Sequence, residues 1–589
     1  MTPLVSRPRL VAGALLAGLA VPAAAHGAAP PLVSTAPGRI VVQVDSGKVA
    51  NNVDAGGAGL GVALPDRGVL LFGSGSATAG SGYVAKLGAS GALDPAFGTR
   101  GVRSLPALPF SLLQILRQTD GRLLLVGAKN GGFNPGPLQV ARLNADATLD
   151  HTYGSDGIAT TAVGEGCGAC TSAALQADGS LVLTGTTGEV KPPPAAPNLH
   201  WSLTRLTPSG AVDPGFGSGG VATIAPGVSA SGFNVAIGPA GTIVTEAQTS
   251  GNPLSPGASS QLLLARLLPS GAPDPTFAGG GAVPVPFGTG FLLHVLADGS
   301  VLVNGQAPRT GPATAQSLVA PRRQFLARYT ALGALDATFG SGGLVDLGSA
   351  IEPSQLLASA GRDVIVVGAP SYGLAPGTGP TPGRLNARLV SAGGAIALDR
   401  TVDLPFGGGG SSFLVSVRPR PVASLRQNSF FGKLVVRRSD GSYVVPGSVK
   451  VSQPTGEGTG FSTGRFAAAA LTPSFALDPS FGGPARKLAL SVRLTRQRAS
   501  SAHARHGIRV TLRSSAVGLA RVKVTHAGRA IALSLVPVFK TTSHTLPVEL
   551  TSYGNGYLRH HRNVKVSVTA QARDLLTATK TAKAAGRLR

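Results

Sequence analysis

Few residues of this chain have the types and spacing that chemistry requires. The two cysteines stand as Cys167-Gly-Ala-Cys170, a spacing shared by redox pairs and by half of a zinc site. Thioredoxin-type redox chemistry needs the pair where a strand turns into a helix, and zinc needs a second pair of ligands. Here the pair lies in a Gly-rich connection and no third cysteine exists, so the expectation is a small local disulfide between Cys167 and Cys170. The run Arg559-His560-His561-Arg562 offers groups for a metal or a phosphate. Adjacent strand residues point to opposite faces, so the two imidazoles do not share one metal, and the run reads as a solvated turn.

Sugar hydrolysis needs two carboxylates facing a cleft. The six glutamates are Glu165, Glu189, Glu246, Glu352, Glu457 and Glu549. Glu189 and Glu457 fall in long loops of different segments and are the conceivable pair, but nothing selects them over solvated loop charges. Calcium loops need closely spaced oxygen ligands of the D-x-D-x-D-G kind, which the sequence lacks. Nucleophile-elbow, zinc-protease and phosphate-loop patterns are missing as well. No catalytic residue, metal site or cofactor site is therefore assigned.

The elements that would carry any site come from a repeat. One motif recurs as ALDPAFG (92–98), TLDHTYG (148–154), AVDPGFG (211–217), APDPTFA (272–278), ALDATFG (334–340) and ALDPSFG (476–482), with a worn copy, ALDRTVD, at 397–403. Its aspartates are Asp94, Asp150, Asp213, Asp274, Asp336, Asp399 and Asp478. Each copy follows a second motif, two apolar runs around an Asp-Gly-like turn, as in RQTDGRLLLVG (117–127) and VLADGSVLVNG (295–305). Asp-Gly between β-prone runs marks a hairpin, because its turn needs positive φ. In the first motif Asp bonds forward to backbone N–H groups, Pro presets φ and Gly turns left-handed. One unit reads strand, DG turn, strand, long loop, strand, LDPxFG turn, strand. Seven such units predict a seven-bladed β-propeller of four antiparallel strands per blade, an all-β fold. An open solenoid or two stacked sandwiches are the other architectures that the period allows. RIVVQV (39–44) sits where a fourth strand would, and is expected to complete the seventh blade and remove the open sheet edge.

The pairing of the DG hairpin with stretches such as TRLTPSGAVDPGFGSGGVATI (204–224) resembles the delta-60 repeat proteins, a bacterial β-propeller family. The resemblance covers about residues 39–485. It implies the propeller fold and export, and it brings no catalytic residues.

Charge is unevenly distributed. The net charge is +25, and residues 486–589 hold 20 Lys/Arg against only Glu549 and Asp574. This tail alternates apolar with basic or hydroxyl residues, as in ARVKVTHAG (520–528), the pattern of half-buried strands. It is expected to be a small β-sandwich, resembling the immunoglobulin-like tails of secreted actinobacterial proteins in pattern, with a frayed C-terminus. At the other end, Arg7 and Arg9, the apolar run 10–21 and Ala23-Ala24-Ala25 read as a Sec-type signal peptide over residues 1–28. No later segment is long and apolar enough for a transmembrane anchor.

These readings converge on a secreted or cell-surface protein without catalytic activity, a binding or scaffold module near the cell envelope. The long segments between second and third strands crowd the disc face opposite the regular turns. A protein or glycan ligand is expected there, because binding concentrates on irregular loops held by a rigid scaffold. The basic tail fits an anionic envelope polymer better than nucleic acid, since interleaved aromatic residues are absent. The alternatives are an extracellular carbohydrate-active enzyme, a lyase or hydrolase on the same scaffold, and a sensor or assembly subunit.

Overall fold

The computed structural model describes residues 32–36, 39–43, 58–74, 82–128, 136–164, 172–189, 198–249, 261–287, 289–307, 322–349, 351–359, 361–370, 384–404, 407–408, 412–415, 435–453, 461–483, 488–515, 518–538, 543–574 and 579–589. Residues 1–28 and Cys167 and Cys170 lie outside this set.

The repeats fold as four-stranded antiparallel sheets, with two departures: a Gly164–Thr186 bridge joins the second and third, and in the seventh Ser412–Val415 pairs parallel with Tyr443–Gln453. The fourth blade is representative: Ala230–Ile237 innermost, then Ile243–Thr249, Leu262–Leu267 and Val283–Pro284. Second strands are packed on both faces by neighbouring blades, so they read as apolar runs; every residue of Leu123–Ala128 is buried. Outer strands such as Val221–Ile224 alternate, because one face meets solvent.

Closure is visible in the packing. Buried apolar residues fall into seven clusters, each shared by two adjacent blades. The last joins Val436, Val444 and Ala468 of the seventh blade to Val69, Leu71 and Ala85 of the first. The seventh sheet takes its fourth strand, Arg39–Gln43, from the N-terminal side, paired with Phe461–Leu471. The sheet then continues one strand further than expected, since Leu32–Ala36 folds back antiparallel on Arg39–Gln43.

The DG turns form as their chemistry dictates. Asp120, Asp178, Asp298 and Asp440 each accept the backbone N–H two residues on at 2.9–3.0 Å. Asp150, Asp213, Asp274, Asp336 and Asp478 do the same within the LDPxFG turns. The worn sixth copy departs from this. With Pro, Phe and Gly gone, nothing breaks the chain, and Ile396–Asp403 runs as a continuous strand paired along Arg384–Val390.

The LDPxFG turns also lock each blade to the next. In the second blade Arg142 binds Asp150 at 2.7 Å, lies over Tyr153 at 4.6 Å, and donates to the Pro208 carbonyl of the third blade at 2.6 Å. Gly154 N–H adds a backbone bond to Ser209 at 2.8 Å. Arg205 with Phe216, Arg266 with Phe277, and Arg328 with Phe339 repeat the arrangement, reaching Pro269, Ala331 and Ala392. In the first blade Lys86 takes the place of the Arg and pairs with Asp94 at 2.8 Å, and in the seventh Ala470 stands there. Arg438, from the strand before the DG turn, covers Phe481 at 5.1 Å instead and donates to Ala89 of the first blade.

The C-terminal region is a sandwich. Leu490–Leu494, Gly507–Ser514 and Ser543–Glu549 form one sheet; Arg529–Val538, Gly518–His526, Val564–Asp574 and Thr579–Leu588 form the other, in that order. The core is aliphatic, from Ile508 and Val510 to Val566 and Val568. Two expectations are corrected here. The C-terminus is not frayed: Thr579–Leu588 pairs along its length, Leu588 is buried, and Arg589 exchanges backbone bonds with Gln497 and Ala499. The Arg559–Arg562 run is not a turn, because Ser552–His560 is a helix capped by Thr551, whose hydroxyl accepts from Gly554 N–H at 3.0 Å. Two glycines hid it. Gly554 is required because a Cβ there would stand 1.8 Å from the Ile531 carbonyl oxygen on which the helix rests.

Candidate functional site

The residues singled out from sequence are not assembled into one centre. Cys167 and Cys170 lie outside the described residues, as does Glu457. Glu189 ends the second strand of the third blade, opposite Asn198. The repeated aspartates are consumed by turns and clasps, and no group of three metal-ligating side chains occurs among the described residues. Burial works against the Asp150 carboxylate, yet Thr152, Arg142 and Arg122 outweigh it and hold it down at about 2. Arg142 and Arg328, which sequence reasoning passed over, carry a signal: an Arg stands eight residues before the Asp in the second to fifth copies.

The inner half of the fourth blade holds a buried polar cluster. Trp201 Nε1 donates to Thr245 Oγ1 at 3.2 Å, and Thr245 donates to the Asn234 carbonyl at 2.8 Å. Asn234 Nδ2 donates to Glu246 Oε1 at 2.6 Å. Glu246 is fully buried and its second oxygen has no hydrogen-bond partner among the described residues. Burial pushes its carboxyl up to about 7, with the Asn234 bond acting in the opposite sense. A backbone irregularity between Gly232 and Asn234 shifts the inner strand beside it. The sequence signal is a charged residue inside the otherwise apolar run IVTEA.

Amide side chains join inner strands elsewhere. Gln114 donates to the Ala173 carbonyl at 2.9 Å and accepts from its N–H at 2.8 Å. Gln355 does the same with Val435 at 2.9 and 2.8 Å. On the clasped face a hollow of about 240 Å³ lies between the DG turns of the second and third blades, lined by Gln118, Asp120, Arg122, Gln176 and Asp178.

In the sandwich, the outer face of the four-stranded sheet is basic. Arg521, Lys523, Lys565, Lys583 and Arg587 are all exposed. Register places Lys523 opposite Thr569 and Thr569 opposite Lys583, with Lys565 opposite Arg587. At one end of this sheet, His526 Nδ1 meets the Lys565 carbonyl at 2.7 Å and its Nε2 meets the Tyr557 hydroxyl at 3.0 Å. Tyr557 stacks on His561 at 3.9 Å, and Arg529 covers Tyr553 at 4.2 Å.

Comparison with known proteins bears on the propeller. Residues 176–216 match a domain of unknown function (DUF5122), described as a beta-propeller. That stretch runs from the DG hairpin of the third blade to Phe216 in its LDPxFG turn. The family match does not extend to the tail, whose immunoglobulin-like resemblance it does not support. No curated protein matches the chain. Among solved structures, the polysaccharide lyase Uly1 is similar at 12% identity, with 72% of this chain and 91% of that one covered and a TM-score of 0.39. The PQQ-bound aldose sugar dehydrogenase of Streptomyces coelicolor gives 14%, 61%, 99% and 0.32 for the same measures. The GH43 endo-arabinanase of Bacillus licheniformis gives 13%, 48%, 98% and 0.26. Likeness at this level carries no chemistry from those proteins to this chain. No helix among the described residues is long and apolar enough to cross a membrane.

Proposed function

We propose that this chain is a secreted, non-enzymatic binding or scaffold protein whose propeller takes a protein or glycan ligand on one face of the disc. The supporting observation is the asymmetry of the ring. LDPxFG turns are committed on one face to blade-to-blade clasps, and Asp298 and Asp440 of DG turns pair with Arg362 and Arg67 of the following blades. The segments 129–138, 186–199, 248–261, 306–323 and 369–385 attach at the other ends of the strands; most of their residues are outside the described set. They are dissimilar in sequence from blade to blade, which suits recognition on a constant frame. The test is a glycan and wall-polymer array probed with the full chain and with versions in which 129–135 and 371–383 are shortened. Loss of a salt-resistant ligand on shortening supports the reading. A ligand that binds every shortened chain unchanged refutes it.

A carbohydrate-active enzyme is the second reading, and Glu246 is the observation in its favour. A carboxyl titrating near 7 is poised for proton transfer at neutral pH. Glu246 is nevertheless fully buried, and its described partner is the amide of Asn234 rather than a second carboxylate.

A further inference from the structure

We propose that the outer face of the four-stranded sandwich sheet is a binding surface for a linear anionic polysaccharide, one bearing carboxylate or sulfate groups. This goes beyond the loop-face reading and stands if that reading fails.

The first support is charge without compensation. None of Arg521, Lys523, Lys565, Lys583 and Arg587 has an acidic partner among the described residues. Of the two acids after residue 485, Glu549 belongs to the other sheet and Asp574 ends its strand at the opposite end from Lys565. Lys565 and Arg587 are direct cross-strand partners, and like charges so placed destabilise a sheet unless an anion lies over them. Basic residues often guard an exposed sheet edge against pairing. That reason covers Lys583 and Arg587 on the edge strand Thr579–Leu588, but not Arg521, Lys523 and Lys565 on the two central strands.

The second support is spacing and chemistry. Strands stand about 4.8 Å apart, so Lys523 and Lys583, separated by the Thr569 strand, present cations roughly 10 Å apart. Between and beside them lie Thr525, Ser567, Thr569 and Thr581, which can donate to and accept from sugar hydroxyls. Tyr553, Tyr557, His526 and His561 gather at one end of this sheet, where the C–H-bearing face of a sugar ring can rest on an aromatic face. Tyr557 packs partly buried against the aliphatic core, so Tyr553, 36% exposed, is the tyrosine that a ligand reaches. In single-strand nucleic-acid grooves aromatic rings alternate with cations along the path. Here the rings sit together at one end and the cations spread over hydroxyl-bearing strands, which favours a sugar polymer.

The experiment uses the full chain and three probes: heparin, polygalacturonate and a single-stranded DNA oligonucleotide, at low and high salt. The variant Arg521→Gln/Lys523→Gln/Lys565→Gln/Lys583→Gln is compared with Arg493→Gln/Arg509→Gln/Arg513→Gln, which removes exposed charge from the opposite sheet. Thermal melting checks that both fold. The expected result is binding of an anionic polysaccharide by the wild type, weakened at least tenfold in the first variant with a shallower salt dependence, and nearly unchanged in the second. Equal weakening in both variants would mean diffuse charge rather than a face and overturns the proposal. So does tighter binding of the DNA than of either polysaccharide, or no binding at low salt. The loop segments are intact in every variant, so the outcome is independent of the loop-face test.

Discussion

Arg328 lies over the ring of Phe339, 4.4 Å from its centroid, while its Nε holds Asp336 at 2.8 Å. The same guanidinium donates to the Ala392 carbonyl of the next blade, so one side chain ties a turn to itself and to its neighbour. Arg328 is 2% exposed and Asp336 8%. Removing Arg328 leaves Asp336 with Thr338 and a longer contact to Arg362 at 3.6 Å, at a cost of about 1.5–3 kcal/mol for the lost charged hydrogen bonds. Arg328→Met should lower the urea midpoint accordingly. Arg388→Met should cost no more than about 1 kcal/mol, because the carboxylate of its partner Asp399 is half exposed and the contact is screened. Equal midpoints for the two variants would remove the clasp from the account of stability.

The clasp also depends on a glycine in the blade that receives it. At Gly394, φ is +88°, and a Cβ would stand 2.4 Å from the Gly340 nitrogen, whose N–H bonds to Gly393. Gly361 has a similar backbone, φ +60°, with open space around it. Both Gly→Ala changes meet the left-handed penalty of about 1–2 kcal/mol, and Gly394→Ala should exceed Gly361→Ala by the loss of the docking contact. Denaturant titration of the two variants gives the difference directly.

Gln355 serves the seam between the sixth and seventh blades with two hydrogen bonds to Val435. Gln355→Ala leaves a backbone N–H and C=O unpaired beside a side chain that is 8% exposed. The expected loss is about 1–3 kcal/mol. Hydrogen exchange at Val435 should accelerate in the same variant, and an unchanged rate there would refute the assignment.

Glu246 gives stability a pH dependence of definite sign. Its folded value of about 7 lies above the ordinary carboxyl value of 4.5. Below the ordinary value both states hold the proton and the group is neutral to stability. Between the two values the unfolded chain releases the proton while the folded one keeps it, so stability falls by about 1.4 kcal/mol per pH unit. Above about 7 the loss levels off. Glu246→Gln keeps an acceptor for Asn234 and should be more stable than the wild type at pH 8 but not at pH 4. The difference in urea midpoint between those two pH values is the readout.

The repeat was legible because its signals are local. Asp-Gly and LDPxFG specify their own turns through a side-chain bond and a glycine φ, and the aspartates do so in the structure. The clasp was less legible, since Arg142 and Pro208 meet across a blade boundary. The helix Ser552–His560 was missed because Gly554 and Gly556 argue against helix, while its true requirement is room over Ile531. Glu246 is one of six glutamates in the sequence, but its burial follows from the packing of whole blades.

The strand Arg39–Gln43 precedes the first blade, and its partner Phe461–Leu471 lies hundreds of residues later. Every other blade can assemble from contiguous sequence, but this one must wait. Contacts of such sequence separation form slowly, because the loop they close is long. The same arrangement slows disassembly: neither the first nor the seventh blade can peel away without first releasing the strand Arg39–Gln43 from Phe461–Leu471. The protein should therefore owe its persistence to a slow rate of opening as much as to its equilibrium stability.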